Sequence, residues 1–174
     1  MYKTRTYLAG AWTEDSDLIQ TIKKWHDSDY WSLDYSDAHK LKQARDTSLS
    51  CSIKASLMKR LEASKTFILI VGEATDNLTR GSCQYCENYY YRICLRGRNI
   101  DTRSFIEYEC EKAIAYDMNI IVIYNSTNID KSLCPDCFKK LGNHIAAKKI
   151  LADGKEYWNY DEIRDAINLA NGKY

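Results

Sequence analysis

The chain is poor in residues that break regular structure, with one proline and seven glycines among 174 residues. That scarcity argues against long linkers and low-complexity tracts, and no internal repeat is evident. The chain also lacks a charge bias: 25 basic side chains stand against 24 acidic ones, for a net charge of +1. A balance of this kind argues against binding nucleic acid or an anionic membrane surface through global electrostatics. No apolar run approaches the length that spans a bilayer. Residues 1–6 are polar and carry no apolar segment of signal-peptide type, so a cytoplasmic protein is expected. Histidine is scarce too. His26, His39 and His144 are scattered without metal-ligand spacing and read as surface or locally bonded residues.

What remains is the profile of a soluble globular chain, 45% hydrophobic and 28% charged. Its length suits one well-buried domain, residues 1–174, and is too short for two ordinary ones. Tyr7-Leu8-Ala9 reads as a first strand, introduced by Thr4 and Thr6 and ended by Gly10. Thr13-Glu14-Asp15-Ser16-Asp17 reads as a helix start, with polar caps and acids in the first turn. Leu18, Ile19, Ile22 and Trp25 then recur at helical spacing. Tyr30-Trp31-Ser32-Leu33 is a short second strand. Ser50 and Ser52 are candidate caps of a helix whose apolar face is Ile53, Leu57, Met58 and Leu61.

Residues 66–71 are apolar on both alternations, as a central strand covered on two faces must be. Residues 73–102 show no clear periodicity and form a long insert after this third strand. Bare loops of that length are uncommon, so a functional or metal-pinned segment is expected. A helix follows with Phe105, Ile106, Cys110, Ala113 and Ile114 facing inward, then a second central strand over 120–124. His144 to Ala147 is a short last strand, and a C-terminal helix opens at Asp161. Alternating strands and helices predict a parallel sheet with helices on both faces. Ligands of such sheets bind at the carboxyl ends of the strands, here the loops 10–15, 34–46, 72–102 and 125–143.

Seven cysteines are an odd number, and in a cytosolic chain they are expected as thiols or metal ligands. Cys83-Gln84-Tyr85-Cys86 and Cys134-Pro135-Asp136-Cys137 are two CxxC pairs. Both follow strands expected to be neighbours, so a structural zinc on Cys83, Cys86, Cys134 and Cys137 would pin the insert to the loop after the next strand. Free thiols, a redox pair and a disulfide are the alternatives. The aromatic and basic residues 89–92 and 96–98 read as a solvated or self-packed surface, or a partner surface, rather than a nucleic-acid site.

Glu109 stands one turn into the helix that follows the insert, near the sheet's expected ligand-binding edge. A glutamate there also commonly complements the helix dipole, a role that suits Glu107 and Glu111. Three stretches carry a resemblance to bacterial Toll/interleukin-1 receptor (TIR) domains, and more narrowly to the TIR-like proteins of Thoeris-type antiphage defence. They are Leu33-Asp34-Tyr35-Ser36, the helix and strand from Ile53 to Val71 with Gly72-Glu73-Ala74-Thr75, and Phe105-Ile106-Glu107-Tyr108-Glu109. The last is similar to the family's Trp-(Cys/Val)-x-x-Glu, with Phe105 in place of the tryptophan. The resemblance implies a flavodoxin-like TIR-type fold. It also implies cleavage of the nicotinamide–ribose bond of NAD, with NAD as substrate and Glu109 as the carboxylate beside the ribose. Water, or a hydroxyl of the same nucleotide, would capture the ribosyl cation; the second outcome would give a cyclic or rearranged ADP-ribose that reaches a downstream effector as a nucleotide signal.

Around Glu109, the small residues Gly10 and Ala11 would let a ligand approach the backbone, and Trp12 would stack on a ring. Asp34 and Ser36 would bind hydroxyls, while Phe105 and Tyr108 would line the pocket. Packing, for Trp12 and Tyr108, and turn formation, for Asp34 and Ser36, are the competing readings. Two other functions stay open. Tyr7-Leu8-Ala9-Gly10 and Glu109 with Ala113 are also similar to nucleoside 2-deoxyribosyltransferases, in which Glu109 would attack the sugar covalently. A non-catalytic TIR scaffold would instead signal by self-association.

Overall fold

The computed structural model describes residues 5–11, 15–29, 49–75 and 79–173. Four parallel strands among them form the central sheet: β1 (Arg5–Ala9), β2 (Ser64–Val71), β5 (Asn119–Tyr124) and β6 (Asn143–Ala146), in that order. The register runs from Leu8 opposite Ile68 to Ile68 opposite Ile121, and Ile123 faces Ile145. This sequential order is a flavodoxin-like order with its second strand set aside. The expected second strand, residues 30–33, lies outside the described residues.

Side chains of successive strand residues point to opposite faces, and here both sets are apolar. Leu8, Ile68, Ile70, Ile121, Ile123 and Ile145 pack against helices α1 (Ser16–Asp27) and α4 (Tyr160–Asn171). Tyr7, Ala9, Phe67, Leu69, Val122 and Tyr124 pack against α2 (Ser50–Glu62) and α3 (Phe105–Ala115). The two-faced pattern at 66–71 and 120–124 therefore marks the two inner strands of the sheet formed by the described residues. Each fully buried isoleucine there contributes about 1.5–3 kcal/mol of burial free energy.

The helices follow their sequence faces with instructive exceptions. In α1, Leu18, Ile19, Ile22 and Trp25 are all buried. In α4, Ile163 and Ile167 are buried and the helix stops at Gly172, whose left-handed backbone (φ 72°) closes the last turn. Ser50 and Ser52 do not cap α2: Leu49 occupies that position without a side-chain bond, and Ser52 Oγ accepts a bond from Arg98 instead. Ile114 is 39% exposed rather than inward, because α3 turns only its Ile106–Cys110–Ala113 side to the sheet.

The insert holds a 3-10 turn, Cys83–Tyr85, and a hairpin of β3 (Tyr89–Tyr90) and β4 (Ile93–Cys94). Its edge presents Tyr90, Tyr91, Ile93 and Leu95 to solvent. A second hairpin, β7 (Lys148–Ile150) with β8 (Glu156–Trp158), was not expected from the sequence. It packs Trp158 edge-on to Trp25, 6.4 Å between ring centres. His144 is locally bonded, as expected: its ring lies 2.9 Å from the Tyr124 hydroxyl and 3.1 Å from two carbonyls.

Candidate active site

Ser104 starts α3. Its hydroxyl accepts the N–H of Glu107, and the Glu107 carboxylate accepts the N–H of Ser104 at 2.6 Å, closing a capping box. Glu107 therefore serves the helix end. Glu111 is outside the core as well, paired with Arg103.

Glu109 is different. It is 5% exposed and lies on the inward side of α3, between Tyr108 and Cys110. The Tyr7 hydroxyl, from the first strand, donates a hydrogen bond to Glu109 Oε1. Tyr7 is itself fully buried and stacked on Phe67, ring centres 5.6 Å apart. Burial pushes the Glu109 carboxyl up to about 7, and the Tyr7 bond and the charge of Arg60 offset only part of that rise. A carboxyl poised near neutrality is present in both its acid and base forms at working pH. Next to it, burial raises the Cys110 thiol well above its usual value, which fits the packing role expected of it.

The approach to α3 is held by charge. Lys54 of α2 is buried, 3.1 Å from the Asp101 carboxylate, and also donates to the Arg103 carbonyl at 2.6 Å. Arg103 chelates Asp101 through Nε and Nη2, at 2.9 and 2.7 Å. Burial opposes the Asp101 charge, but the bonds from Arg103 and Lys54 outweigh it and hold the carboxyl at about 2. The cations of Lys54 and Arg103 lie 5.4 and 5.1 Å from the Tyr108 ring centre.

The structure thus gives Tyr108 a packing environment between cations. Phe105 lies against Gly81, whose left-handed backbone (φ +102°) leaves no room for a side chain: a Cβ there would stand 2.5 Å from the Phe105 ring. Gly10 meets a neighbouring strand, since a Cβ there would come 3.0 Å from Ile70 Cβ. Ala11 is buried and its carbonyl accepts the Asp15 N–H at 2.8 Å. Trp12, Asp34 and Ser36 lie outside the described residues.

Two features were missed in the sequence. One is Tyr7, which reads as plain core inside an apolar strand. The other is a polar cluster where β1, β2 and β5 end. Asp15 was expected as a helix-start acid, yet its side chain makes no cap bond to α1. It is buried against Gly72, where a Cβ would come 2.2 Å from its Oδ1, and accepts a bond from Asn125 Nδ2 at 3.2 Å. Gly72 N–H in turn donates to Thr75 Oγ1 at 2.9 Å. An acid before an amphipathic helix, with a glycine after each of the first two apolar runs, was the signal available.

The expected zinc set is not assembled. Among the described residues no three His, Cys, Asp or Glu side chains are grouped to hold a metal. Cys134 is buried in the core beside Phe138, and Cys137 is in hydrogen-bond contact with Cys110. Cys83 and Cys86 instead border a cavity at the insert, together with Cys51 and Cys94. Leu133, Cys134, Cys137 and Phe138 of the loop after β5 pack with the core on the α2–α3 face of the sheet and do not border that cavity.

The model of the family described as Thoeris protein ThsB, TIR-like domain, matches residues 7–80. Residues 7–80 are therefore similar to a Thoeris-type TIR-like domain. The match takes in Tyr7, the Asp15–Gly72–Thr75 cluster and the two strands that pair first, and ends before α3, so Glu109 rests on the geometry above. No curated protein matches the chain. Among solved structures, a de novo designed Rossmann 2x3 fold protein covers 99% of this chain and 94% of its own, at 11% identity and a TM-score of 0.44. The fold assignment rests on the strand order and the two helical layers. No helix among the described residues is long and apolar enough to cross a membrane.

Proposed function

We propose that the protein is an NAD-processing TIR-type enzyme of antiphage defence, with Glu109 as its catalytic carboxylate and Tyr7 as the residue that positions it. The observation that carries this reading is the Glu109 carboxyl, buried on the inner side of α3 and bonded by Tyr7 from the middle of β1, where burial raises it to about 7. The similarity of residues 7–80 to a Thoeris TIR-like domain supports the same reading.

The bond from ribose C1′ to the nicotinamide nitrogen breaks, and its electron pair leaves with nicotinamide, which departs neutral. Positive charge develops at C1′, where an adjacent carboxylate stabilises it. An oxygen nucleophile then bonds to C1′ and gives its proton to the Glu109 carboxylate. Water as nucleophile yields ADP-ribose. A hydroxyl of the same nucleotide yields a cyclic product suited to act as a signal to a separate effector.

Purified protein is incubated with NAD, with and without lysate from phage-infected cells, and products are followed by liquid chromatography–mass spectrometry. Nicotinamide release that disappears in Glu109→Gln is expected, and product mass separates hydrolysis from cyclisation. A sugar trapped covalently on Glu109 would instead identify deoxyribosyl transfer. Folded protein that releases no nicotinamide under either condition would overturn the enzymatic reading in favour of a scaffold.

A further inference from the structure

We propose that Cys51, Cys83, Cys86 and Cys94 form a structural zinc site that fastens the insert to the start of α2. This ligand set replaces the pairing of two CxxC motifs and is independent of the NAD reading.

All four residues border one cavity, between the first turn of α2 and the hairpin of the insert. Three come from the insert in a C-x2-C-x7-C arrangement, and the helix supplies the fourth. Four thiolates are a complete tetrahedral shell for zinc. As the side chains stand they are not grouped around a common point. A step between staggered χ1 wells moves each sulfur without moving the backbone.

In their present rotamers the sulfurs lie against N–H donors, so donors of the kind that surround metal-bound thiolates line the cavity. Asp101 N–H points at Cys83 Sγ, 3.4 Å away, and Asn88 Nδ2 lies 4.0 Å from Cys86 Sγ. The backbone N–H groups of Arg96 and Arg98 face the Cys94 sulfur. Arg98 Nη1 is 3.3 Å from Cys51 Sγ. Zinc with four thiolates carries two negative charges, and the Arg98 guanidinium offsets part of that charge.

The hairpin also needs a fastening. Each of its strands has two residues, and its turn places Tyr91 and Arg92 in the left-handed region at φ 42° and 64°. That turn geometry favours Asn and Gly, and an isolated hairpin is marginal in water even with longer strands. Tyr90, Tyr91, Ile93 and Leu95 all face solvent, so no apolar core stabilises it. Small units without a core are commonly held by disulfides or metal.

The full-length protein, purified without chelator and dialysed, is analysed by inductively coupled plasma mass spectrometry and by alkylation mass spectrometry with and without a strong chelator. About one zinc per chain is expected. Cys51, Cys83, Cys86 and Cys94 should resist alkylation until chelator is added. Cys94→Ser and Cys86→Ser should lose most of the metal, while Cys134→Ser and Cys137→Ser retain it. Absence of metal, a Cys83–Cys86 disulfide, or loss of zinc in Cys134→Ser would each overturn the proposal. Where a variant does not fold, X-ray absorption at the zinc edge of the wild type decides: four sulfur neighbours support the site and any smaller number overturns it.

Discussion

Burying a carboxyl has a measurable effect on stability. Glu109 rises from 4.5 in the unfolded chain to about 7 in the fold. At about 1.4 kcal/mol per pH unit, that difference amounts to roughly 3 kcal/mol. The sign follows from proton uptake. Between the two values the folded state holds the proton and the unfolded state has released it, so this group makes stability fall as pH rises. Below pH 4.5 both states are protonated and the penalty vanishes; above about 7 both are ionised and it is complete. Glu109→Gln removes the titration while keeping the shape. Unsatisfied amide hydrogens add a cost, but that cost does not depend on pH. Urea unfolding of both proteins, followed by circular dichroism from pH 4.5 to 8, is therefore expected to show the variant gaining on the wild type by about 2–3 kcal/mol across the range. Parallel curves within about 0.5 kcal/mol would refute the reasoning, because the carboxyl would then be titrating as if solvated.

Tyr7→Phe removes the bond that favours the charged form of Glu109. The pH–rate inflection for nicotinamide release should move to higher pH, with stability lowered by about 1–2 kcal/mol because a buried acceptor loses its donor; an unmoved inflection would separate Tyr7 from the reacting group. Asp101→Asn leaves Lys54 buried beside a neutral partner and should destabilise the fold by about 2 kcal/mol at pH 7. The Asp101 carboxyl is depressed from 3.8 to about 2, so its stabilisation is present above 3.8 and lost as pH falls through about 2. The gap between wild type and variant in acid titrations of unfolding should narrow in that window.

The core was legible because it is periodic. Residues 66–71 and 120–124 are apolar on both alternations and became the two inner strands; Leu18, Ile19, Ile22 and Trp25 became the buried face of α1. Local pattern does not report long-range partners, and the contacts missed at the site were of that kind. Tyr7 and Glu109 are 102 positions apart, and a tyrosine in an apolar strand carries no mark of a polar role. Asp15 has a helix-start composition but faces Gly72, just past the end of β2. The cysteines were paired by motif, whereas the chain path brings Cys51 and Cys94 to Cys83 and Cys86. Strands such as Lys148–Ile150 are too short and too charged to show a period. Glu109 itself was found through its motif, and its burial then set it apart from Glu107 and Glu111 on the same helix.

The insert leaves the sheet at the end of β2 and returns at Ser104, so both its ends are anchored to rigid elements. Closing such a loop becomes harder only with the logarithm of its length, and each doubling costs about 0.6 kcal/mol. The insert can therefore lengthen, shorten or change its outer face while the two-sided core keeps its register. The Lys54–Asp101–Arg103 knot marks where that freedom ends, because it ties the last residues of the insert to α2 just before α3 begins. Variation in this architecture has room on the rim and little at the carboxylate beneath it.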